Sequence, residues 1–525
     1  SDDALVLKYN SSGLIQWNKT FVGVGDNSDN VNALTVDAQG NSYVAGYTYS
    51  NNMRDMCVIK INSAGDTVWT RKFNGSSNAM DEATDIKVDA TGNVYVTGFT
   101  KESLGDYDVT TMKFSPSGVL LWNSQFNNSS VNGEDKGNKL LVDGSGNVYV
   151  AAYSDMDPSI STNKDILLIK YNSAGVQQWI KQYSGPGNDE PKDLLFSGSN
   201  VVILGNTEYA SDIDMVTISY NSAGTQQWIK TYSSTSGNDD VIYDATSDNA
   251  GNVFITGKSD NGVNSDAVTI SYSSTGNQNW VHSYGNTTNR EKGETITLGT
   301  NGEIVVAGLN NNGIQNDIFA LSISTNGSTQ WQINYDGGSS LDDNPSVILT
   351  DLNGDYILTG KTDFAGTNSN HSNFLMLKYS AIGNLLWTST FDNNIEGNDG
   401  IVSTAIDNAN SIIVSGFSQS TLGQKDLVTA KYSNPGTGAS LKENEGINQK
   451  LVVYPNPISE NSIITGISEI PGEKVLTIYQ MDGKCLFSQA IEDKGTIKKG
   501  NLSKGTYLFS VIGDSILLNG KFIVE

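Results

Sequence analysis

The chain contains 525 residues, of which 57 are acidic and 32 are basic, so its net charge is −25 and its pI is near 4.4. Because phosphate groups bind basic surfaces, this charge excludes nucleic acid and anionic membrane surfaces as partners. The two cysteines are too few for a disulfide framework, and no run of 18 apolar residues predicts a transmembrane segment.

The start of the chain and its acidity point to the same compartment. The first predicted strand begins at Asp3, as in a chain whose N-terminal signal has been removed. The acidity favours solubility outside the cell, and divalent-cation binding is the narrower interpretation of the same charge. We therefore expect a secreted protein.

Tryptophan marks an internal repeat that occupies most of the chain. Successive tryptophans are 52, 53, 57, 49, 52, 51 and 56 residues apart. An aspartate lies 14 residues before each tryptophan, except where Asn373 replaces it, and an aromatic residue lies four residues after each. A period near 50 residues indicates repeated structural units. The eight tryptophans are Trp17, Trp69, Trp122, Trp179, Trp228, Trp280, Trp331 and Trp387.

Each unit contains four short predicted strands. In the third unit they are Asp108–Phe114, Val119–Phe126, Lys139–Asp143 and Asn147–Ala151. These segments are rich in Val, Ile, Leu, Tyr and Phe, and Gly, Asn, Ser and Asp separate them. No segment shows a convincing 3.6-residue period. The fold is therefore predicted to be all-β.

Eight units of four antiparallel strands predict a β-propeller in which each unit is a blade and the tryptophans pack between blades. An open β-solenoid usually has a shorter repeat. The units resemble the seven-bladed β-propeller repeat family, whose phrase Gly-Asn-Val-Tyr-Val-Thr-Gly occurs unchanged at Gly92–Gly98. The resemblance covers about residues 1–433. We expect about eight four-stranded blades, and seven is the alternative if a terminal unit lies outside the ring.

One predicted strand is left over after these units are counted. Asp426–Tyr432 has the pattern of the Asp-led strands, but no tryptophan follows it. We expect this strand to pair with the N-terminal unit and close the ring.

Residues that usually carry catalysis are scarce. His282 lies two residues after Trp280, where most other copies have Lys or Arg, and His371 ends the predicted loop Gly366–His371. Neither has a second His or Cys at ligand spacing, so zinc is not expected. No Gly-x-Ser-x-Gly motif frames a nucleophile, and three arginines are too few for a sialidase site. No catalytic residue is predicted.

Acidic pairs recur in the loop after the tryptophan strand. An active site is normally built once, so their repetition favours turn capping over catalysis. Paired carboxylates also bind calcium, which is the alternative, but we expect no cofactor to be required. The pairs are Asp81–Glu82, Glu134–Asp135, Asp189–Glu190, Asp239–Asp240 and Asp342–Asp343.

The pattern changes after Tyr432. Residues 434–447 are predicted to be a flexible linker because they are rich in Gly, Ser, Asn and Glu. Residues 448–525 contain the alternating segments Lys474–Tyr479 and Gly505–Val511 with Gly turns between strands. They predict a small C-terminal β-sandwich.

This module resembles the type A C-terminal sorting domain of the type IX secretion system of Bacteroidetes bacteria. The resemblance rests on Tyr454–Pro457, Met481–Lys484 and Leu502–Tyr507, in this order and spacing. It implies that the outer-membrane translocon and its shuttle components recognise the module in the periplasm and deliver the protein to the cell surface or the medium. An ordinary accessory domain is the alternative. The implied signal residues are Tyr454, Pro455, Asn456, Pro457, Asp482, Gly483, Gly505 and Tyr507.

The function of the propeller has two main interpretations. Nearly interchangeable repeats without a unique set of catalytic residue types favour a binding or adhesion module with a glycan or protein ligand. The alternative is a secreted hydrolase or lyase that acts on polysaccharide with carboxylates in the central channel. A structural role in a surface layer is a third interpretation. The fold alone does not decide between them.

Overall fold

The computed structural model is all-β and forms two compact units, Ser1–Gly436 and Thr437–Glu525. The boundary between them falls within the predicted linker. The structure describes residues 3–9, 15–22, 29–50, 53–77, 79–101, 106–128, 133–155, 164–209, 212–234, 237–286, 288–337, 341–364, 371–391, 398–419, 425–433, 452–454, 461–465, 474–480, 485–491, 495–498, 502–513 and 516–524.

The first half of the first unit is built from short strands joined by tight turns and longer loops. These strands are β1 (Asp3–Tyr9), β2 (Ile15–Val22), β3 (Asn30–Val36), β4 (Ser42–Ser50), β5 (Met53–Ile61), β6 (Thr67–Phe73), β7 (Asp81–Val88), β8 (Val94–Lys101), β9 (Tyr107–Phe114), β10 (Leu120–Phe126), β11 (Asp135–Val142), β12 (Val148–Asp155), β13 (Lys164–Tyr171), β14 (Gln177–Tyr183), β15 (Asp189–Ser197), β16 (Asn200–Tyr209), β17 (Asp212–Tyr220) and β18 (Gln226–Tyr232).

The second half continues the same pattern. Its strands are β19 (Asp240–Ser247), β20 (Val253–Asp260), β21 (Ser265–Tyr272), β22 (Gln278–Tyr284), β23 (Arg290–Leu298), β24 (Ile304–Asn311), β25 (Asn316–Ile323), β26 (Thr329–Tyr335), β27 (Asp343–Thr350), β28 (Tyr356–Phe364), β29 (His371–Tyr379), β30 (Leu385–Phe391), β31 (Asp399–Ile406), β32 (Ser411–Gln419) and β33 (Lys425–Ser433).

The described strands of this unit form eight sheets. Seven are antiparallel and use four consecutive strands each, from β3–β6 to β27–β30. The first strand of each sheet contacts the first strand of the next, and β31 contacts β3. The sheets therefore form a closed ring whose axis is lined by the first strands, which confirms the β-propeller fold.

The eighth sheet closes the ring with strands from both ends of the unit. It has five strands in the order β2-β1-β33-β32-β31. As expected, β33 pairs with β1, and the pairing is parallel, with Ala4 opposite Leu427 and Lys8 opposite Lys431. In every sheet the third strand runs in the same sense, and β1 and β33 both have the sequence pattern of a third strand. Because they have the same sense and lie side by side in one sheet, they pair in parallel.

Local sequence explains how each sheet is shaped. Every first strand has a register shift against the second strand, as between Ala83 and Asp85, and such a bulge bends the strand. Second strands such as β12 are almost wholly buried because neighbouring sheets cover both faces. In outer strands such as β22, exposed and half-buried residues largely alternate, as the two-residue period of a half-covered strand requires.

The turn between the first and second strands is held by its own aspartate. In the second sheet, Asp89 Oδ1 accepts hydrogen bonds from the backbone N–H groups of Thr91 and Asn93, both at 2.9 Å. Gly92 adopts a φ of +81°, which favours glycine. In the last copy Asn410 takes this position with a φ of +58°, a conformation that Asn tolerates better than most residues.

The second unit contains two sheets. Ile464 and Ile497 of the first sheet share a core with Leu476, Phe509 and other residues of the second, so the module is a small β-sandwich, as predicted. No membrane-spanning helix occurs in the described parts of the chain. The strands are β34 (Val452–Tyr454), β35 (Asn461–Thr465), β36 (Lys474–Gln480), β37 (Cys485–Ile491), β38 (Gly495–Lys498), β39 (Gly505–Gly513) and β40 (Ile516–Val524), in the orders β34-β35-β38 and β37-β36-β39-β40.

Candidate functional site at the variable end of the ring

The two ends of the ring are built differently. At one end, which we call the turn end, nearly all the turns are short and similar, such as Asp89–Asn93 and Ser115–Val119. At the opposite end, which we call the variable end, second strands end and third strands begin, and the number of residues between them varies from two before β17 to eight before β13. In repeat proteins, variable loops on one face often form the binding face. A binding site is therefore expected at the variable end.

An arc of aromatic side chains lies at this end on consecutive sheets. Each second strand passes a small residue, most often Gly, and then places one side chain near the variable end. In three successive sheets this residue is Tyr47, Phe99 or Tyr153, and Tyr49 and Tyr107 lie beside them. We call these five half-buried residues the aromatic arc. On the next four sheets the corresponding residues are Asn206, Lys258, Leu309 and Lys361, and on the closing sheet, which adjoins the first, it is Phe417.

Cations stack on the rings of the aromatic arc. The guanidinium of Arg54 lies 4.3 Å from the ring centre of Tyr47. Lys136 Nζ lies 4.1 Å from the ring centre of Tyr107 and 4.8 Å from that of Phe99. At these distances the ring quadrupole attracts the cation. The cations hold the rings in place, and the residues that carry the rings remain partly exposed.

Two glutamates balance the charge of these cations. Glu82 Oε2 lies 3.2 Å from Arg54 Nη1, and Glu134 lies 3.4 Å from Lys136 and 3.1 Å from Lys164. Burial raises the pKa of Glu134, but the hydrogen bond from Lys164 and the two lysine charges outweigh burial and lower that pKa. These three cations and two glutamates leave one net positive charge beside the arc, in a chain of net charge −25.

A second group of charged residues lines the axis of the ring. Asp85, Lys139, Asp193 and Asp244 each follow the bulge of the first strand in four consecutive sheets. Burial alone would lower the pKa of Lys139. The carboxylates of Asp85, Asp193 and Asp244 outweigh burial and raise it. These are the axial carboxylates that the hydrolase interpretation requires.

The hydrogen bonds of the axial residues point to a structural role. Asp244 Oδ2 accepts the backbone N–H of Ile296 in the next sheet at 2.8 Å, and Oδ1 accepts that of Ala245 at 2.9 Å. One sheet further on, neutral Thr295 accepts the N–H of Ile348 at 3.1 Å in the same way. Because a hydroxyl replaces the carboxylate at this position, the position acts as a clamp between sheets and needs no acid.

The clamp at Asp244 makes stability depend on pH. Burial and the charge of Asp193 raise the pKa of Asp244 from 3.8 to about 7, so the folded state binds this proton more tightly than the unfolded state. The contribution to stability is complete below about pH 4 and is lost as pH rises to about 7. We expect the melting temperature of the wild type, minus that of Asp244→Asn, to fall between pH 4 and pH 7.5. A difference that is constant with pH would contradict this assignment.

The tryptophans lie between neighbouring sheets, as predicted, for the six whose contacts are described in full. Each donates its indole N–H to a backbone carbonyl in the third-to-fourth-strand turn of the next sheet and covers the positive-φ glycine of that turn. The acceptors of Trp69, Trp122, Trp179, Trp228, Trp280 and Trp331 are Pro116, Ser173, Ser222, Ser274, Thr325 and Ala381, at 2.9–3.3 Å.

The two remaining tryptophans lie at the closing sheet. The side chain of Trp17 is outside the described residues. Trp387 is half-buried against the core between β28–β29 and the closing sheet, and Nε1 has no hydrogen-bond acceptor among the described residues.

The histidines differ from their predicted environments. His282 is only half-exposed, and its Nδ1 lies 3.1 Å from the carbonyl oxygen of Gly327 in the next sheet, so the prediction of a solvent-facing position was wrong. His371 is the first residue of β29 and not a loop residue. The contact of His282 joins neighbouring sheets.

The acidic pairs cap backbone groups. Asp81 accepts the N–H groups of Gly75 at 2.6 Å and Lys101 at 3.0 Å, and Asp135 accepts that of Asn128 at 2.7 Å. These contacts have the geometry expected of capping side chains. That the chain needs no cofactor stays a prediction.

Few of the sorting-signal residues lie in the described part of the C-terminal module. Tyr454 ends β34, and Gly505 and Tyr507 lie in β39. Tyr507 is buried in the sandwich core and donates its hydroxyl to the carbonyl of Ser503 at 2.8 Å, so it stabilises the fold. Outside the described residues are Pro455, Asn456, Pro457, Asp482 and Gly483.

The aromatic arc was missed in the sequence. Its signal is the residue that follows the small residue, usually Gly, in the repeated Gly-Asn-Val-Tyr-Val-Thr-Gly phrase. This residue is aromatic in the first three copies, as with Tyr47 and Phe99, polar or aliphatic in the next four, as with Lys361, and aromatic again in the eighth, Phe417. The repeat was recognised by the residues that the copies have in common, so a position that differs between copies gave no signal.

Two family models match parts of the chain. Residues 452–525 match the secretion system C-terminal sorting domain, and residues 20–52 match the beta-propeller repeat. The C-terminal module thus carries a type IX sorting domain, which indicates export to the cell surface or the medium. No curated protein sequence matches the chain.

Several solved structures are similar to the chain at low sequence identity. Sqt1 from Chaetomium thermophilum is 9% identical over 83% of this chain and 100% of that one, with a TM-score of 0.49. An ulvan lyase of polysaccharide lyase family PL25 is 11% identical over 77% and 94%, with a TM-score of 0.41. The polysaccharide lyase Uly1 is 8% identical over 82% and 96%, with a TM-score of 0.43. Similarity at this level carries no information on ligands.

Proposed function

We propose that the exported protein binds a glycan at the aromatic arc and has no catalytic activity. The observation that carries the proposal is the arc itself, five half-buried aromatic residues on three consecutive sheets at the variable end. The C–H face of a sugar ring packs against the negative face of an aromatic ring. Cations and glutamates beside the rings supply hydrogen bonds to hydroxyl groups.

The axial residues favour binding over hydrolysis. Both oxygens of Asp244 accept backbone N–H groups, and Asp85 accepts those of Ile86 and Leu140 at 2.9 Å each. A general acid or base needs an oxygen within reach of the substrate, and these oxygens are engaged between sheets. The carboxylates of the channel therefore hold the ring together.

The ligand is identified by a glycan array with the full-length protein, followed by titration of the best ligand. We expect Phe99→Ala to weaken binding by about 1.4 kcal/mol or more, a tenfold change in the dissociation constant, because it removes one stacking surface. Lys258→Ala, at the same strand position three sheets away from Phe99, is the matched control and leaves the affinity unchanged.

Two results would contradict the proposal. Equal losses of affinity in both variants would place the ligand elsewhere. Release of new reducing ends or unsaturated products from the bound polysaccharide would show a hydrolase or lyase, which is the alternative function.

A further inference from the structure

Carboxylates meet at the junctions between sheets. At each of several junctions, an aspartate of the third strand lies near the acidic residue that is first or second in the first strand of the next sheet. In each pair the charge of the first residue raises the pKa of the second, whose burial already raises it. The pairs are Asp165 with Asp189, Asp214 with Asp240, Asp266 with Glu291, and Asp317 with Asp343.

One of these junctions has a third carboxylate. Asp336 follows the aromatic residue that ends β26, at a position occupied by Ser184, Ser233 and Gly285 in the preceding copies. One carboxylate oxygen from each of Asp317, Asp336 and Asp343 lies within 4.8 Å of the other two. Among the described residues this group alone brings three potential metal ligands so close together.

A buried oxygen without a hydrogen bond lies in this group. Asp343 is fully buried, and its Oδ2 accepts the N–H of Gly337 at 2.6 Å. Its Oδ1 has no hydrogen bond of normal geometry among the described residues, although the Thr362 hydroxyl lies beside it and equally lacks one. A buried carboxylate oxygen is costly to leave in this state.

In the part of the chain that the structure describes, no ion pair involves Asp317 or Asp343. The one side-chain donor to Asp317 is the neutral amide of Gln315, at 2.7 Å from Oδ1. Carboxylates at this spacing repel each other unless one of them binds a proton or they share a cation.

We propose that Asp317, Asp336 and Asp343 bind a calcium ion that bridges two neighbouring sheets, a role beyond the proposed glycan binding. Calcium takes six to eight oxygen ligands in flexible geometry. Three carboxylates, the Thr362 hydroxyl and water supply such a set, whereas magnesium demands a near-ideal octahedron. Asp317 and Asp336 belong to the sheet of β23–β26 and the loop after it, and Asp343 begins the next sheet. The ion therefore ties the sixth of the four-stranded sheets to the seventh.

The experiment titrates the full-length protein with calcium and follows heat and the melting temperature. We expect one strong equivalent, with an affinity of about 10⁻⁴–10⁻³ M, as in other extracellular modules, and weaker binding of magnesium. Asp336→Asn should weaken calcium binding at least tenfold. Asp266→Asn, at a junction without the third carboxylate, is the matched control and should leave it unchanged.

The melting temperatures give a second, independent readout. In chelator, Asp336→Asn should melt at or above the wild-type temperature because it removes a like charge from an exposed position. In calcium the wild type should rise and this variant should not. Ser233→Asp, which adds a third carboxylate beside Asp214 and Asp240, should create a second calcium equivalent.

Three outcomes would overturn the proposal. They are absence of calcium binding to the wild type, unchanged binding in Asp336→Asn, and an equal loss in Asp266→Asn. Magnesium affinity equal to that of calcium would overturn the choice of ion. Glycan affinity is measured on the same variants, so that a failure here is distinguished from a failure of the proposed function.

Discussion

Replacing Trp228 by alanine is expected to lower the free energy of unfolding by about 3–5 kcal/mol. Trp228 is 8% exposed, lies 6.1 Å from the ring of Tyr272 and donates its N–H to Ser274 at 3.1 Å. Its loss leaves a cavity between two sheets. Chemical denaturation followed by tryptophan fluorescence measures the effect on the ring alone, since residues 437–525 contain no tryptophan.

Variants at neighbouring positions separate the causes of this loss. Gln227→Ala, at an exposed position of the same strand, is expected to leave the unfolding midpoint unchanged. Gly276→Ala should destabilise the ring because a Cβ there would lie 2.6 Å from the Trp228 ring. Gly198 also has a positive φ, but an added Cβ there would meet open space. Gly198→Ala therefore measures backbone strain alone and should lower the free energy of unfolding by less. An unchanged midpoint in Trp228→Ala would mean that the side chain is not packed between sheets.

Deleting residues 448–525 is expected to retain a folded propeller in the periplasm. The deletion removes the sorting domain at residues 452–525 and leaves the compact first unit, Ser1–Gly436. Cell fractionation, with tryptophan fluorescence of the purified truncated chain, measures both location and folding. Export should fall to background.

The reciprocal experiment transfers the export signal. Residues 434–525 fused to a foreign periplasmic protein should carry that protein to the cell surface or the medium. A fusion with the first unit in place of the second is the control and should remain in the periplasm. Normal surface amounts of the truncated chain would mean that the C-terminal module is an accessory domain.

The sequence predicts the strands and their packing well because the repeat is strongly marked. A tryptophan that must contact the next copy, as Trp228 does, leaves the same spacing in every unit. The boundaries of the sheets, however, do not coincide with those of the sequence repeat. The repeat runs from one Asp-led strand to the next, whereas the sheets begin two strands later, at β3. Hydrogen bonding between strands decides where a sheet begins, and the repeat spacing carries no mark of it.

The sites were predicted less well than the fold, for a related reason. Capping of turns by aspartate is a local property, and Asp89 caps the turn in which it stands. The aromatic arc and the carboxylates at Asp317 and Asp343 are formed by residues of different strands or sheets. Contacts such as that of Lys136 with Phe99 depend on how neighbouring sheets meet, which spacing along the chain does not specify.

The parallel pair β1–β33 links completion of the ring to completion of the chain. β33 ends at Ser433, and the sorting module begins only after it. A growing or interrupted chain that stops before β33 leaves unpaired strand edges, which invite aggregation. Such a chain also lacks the sorting module, because the module is synthesised later. Because of this order, every chain that contains the sorting module also contains β33, the strand that closes its ring.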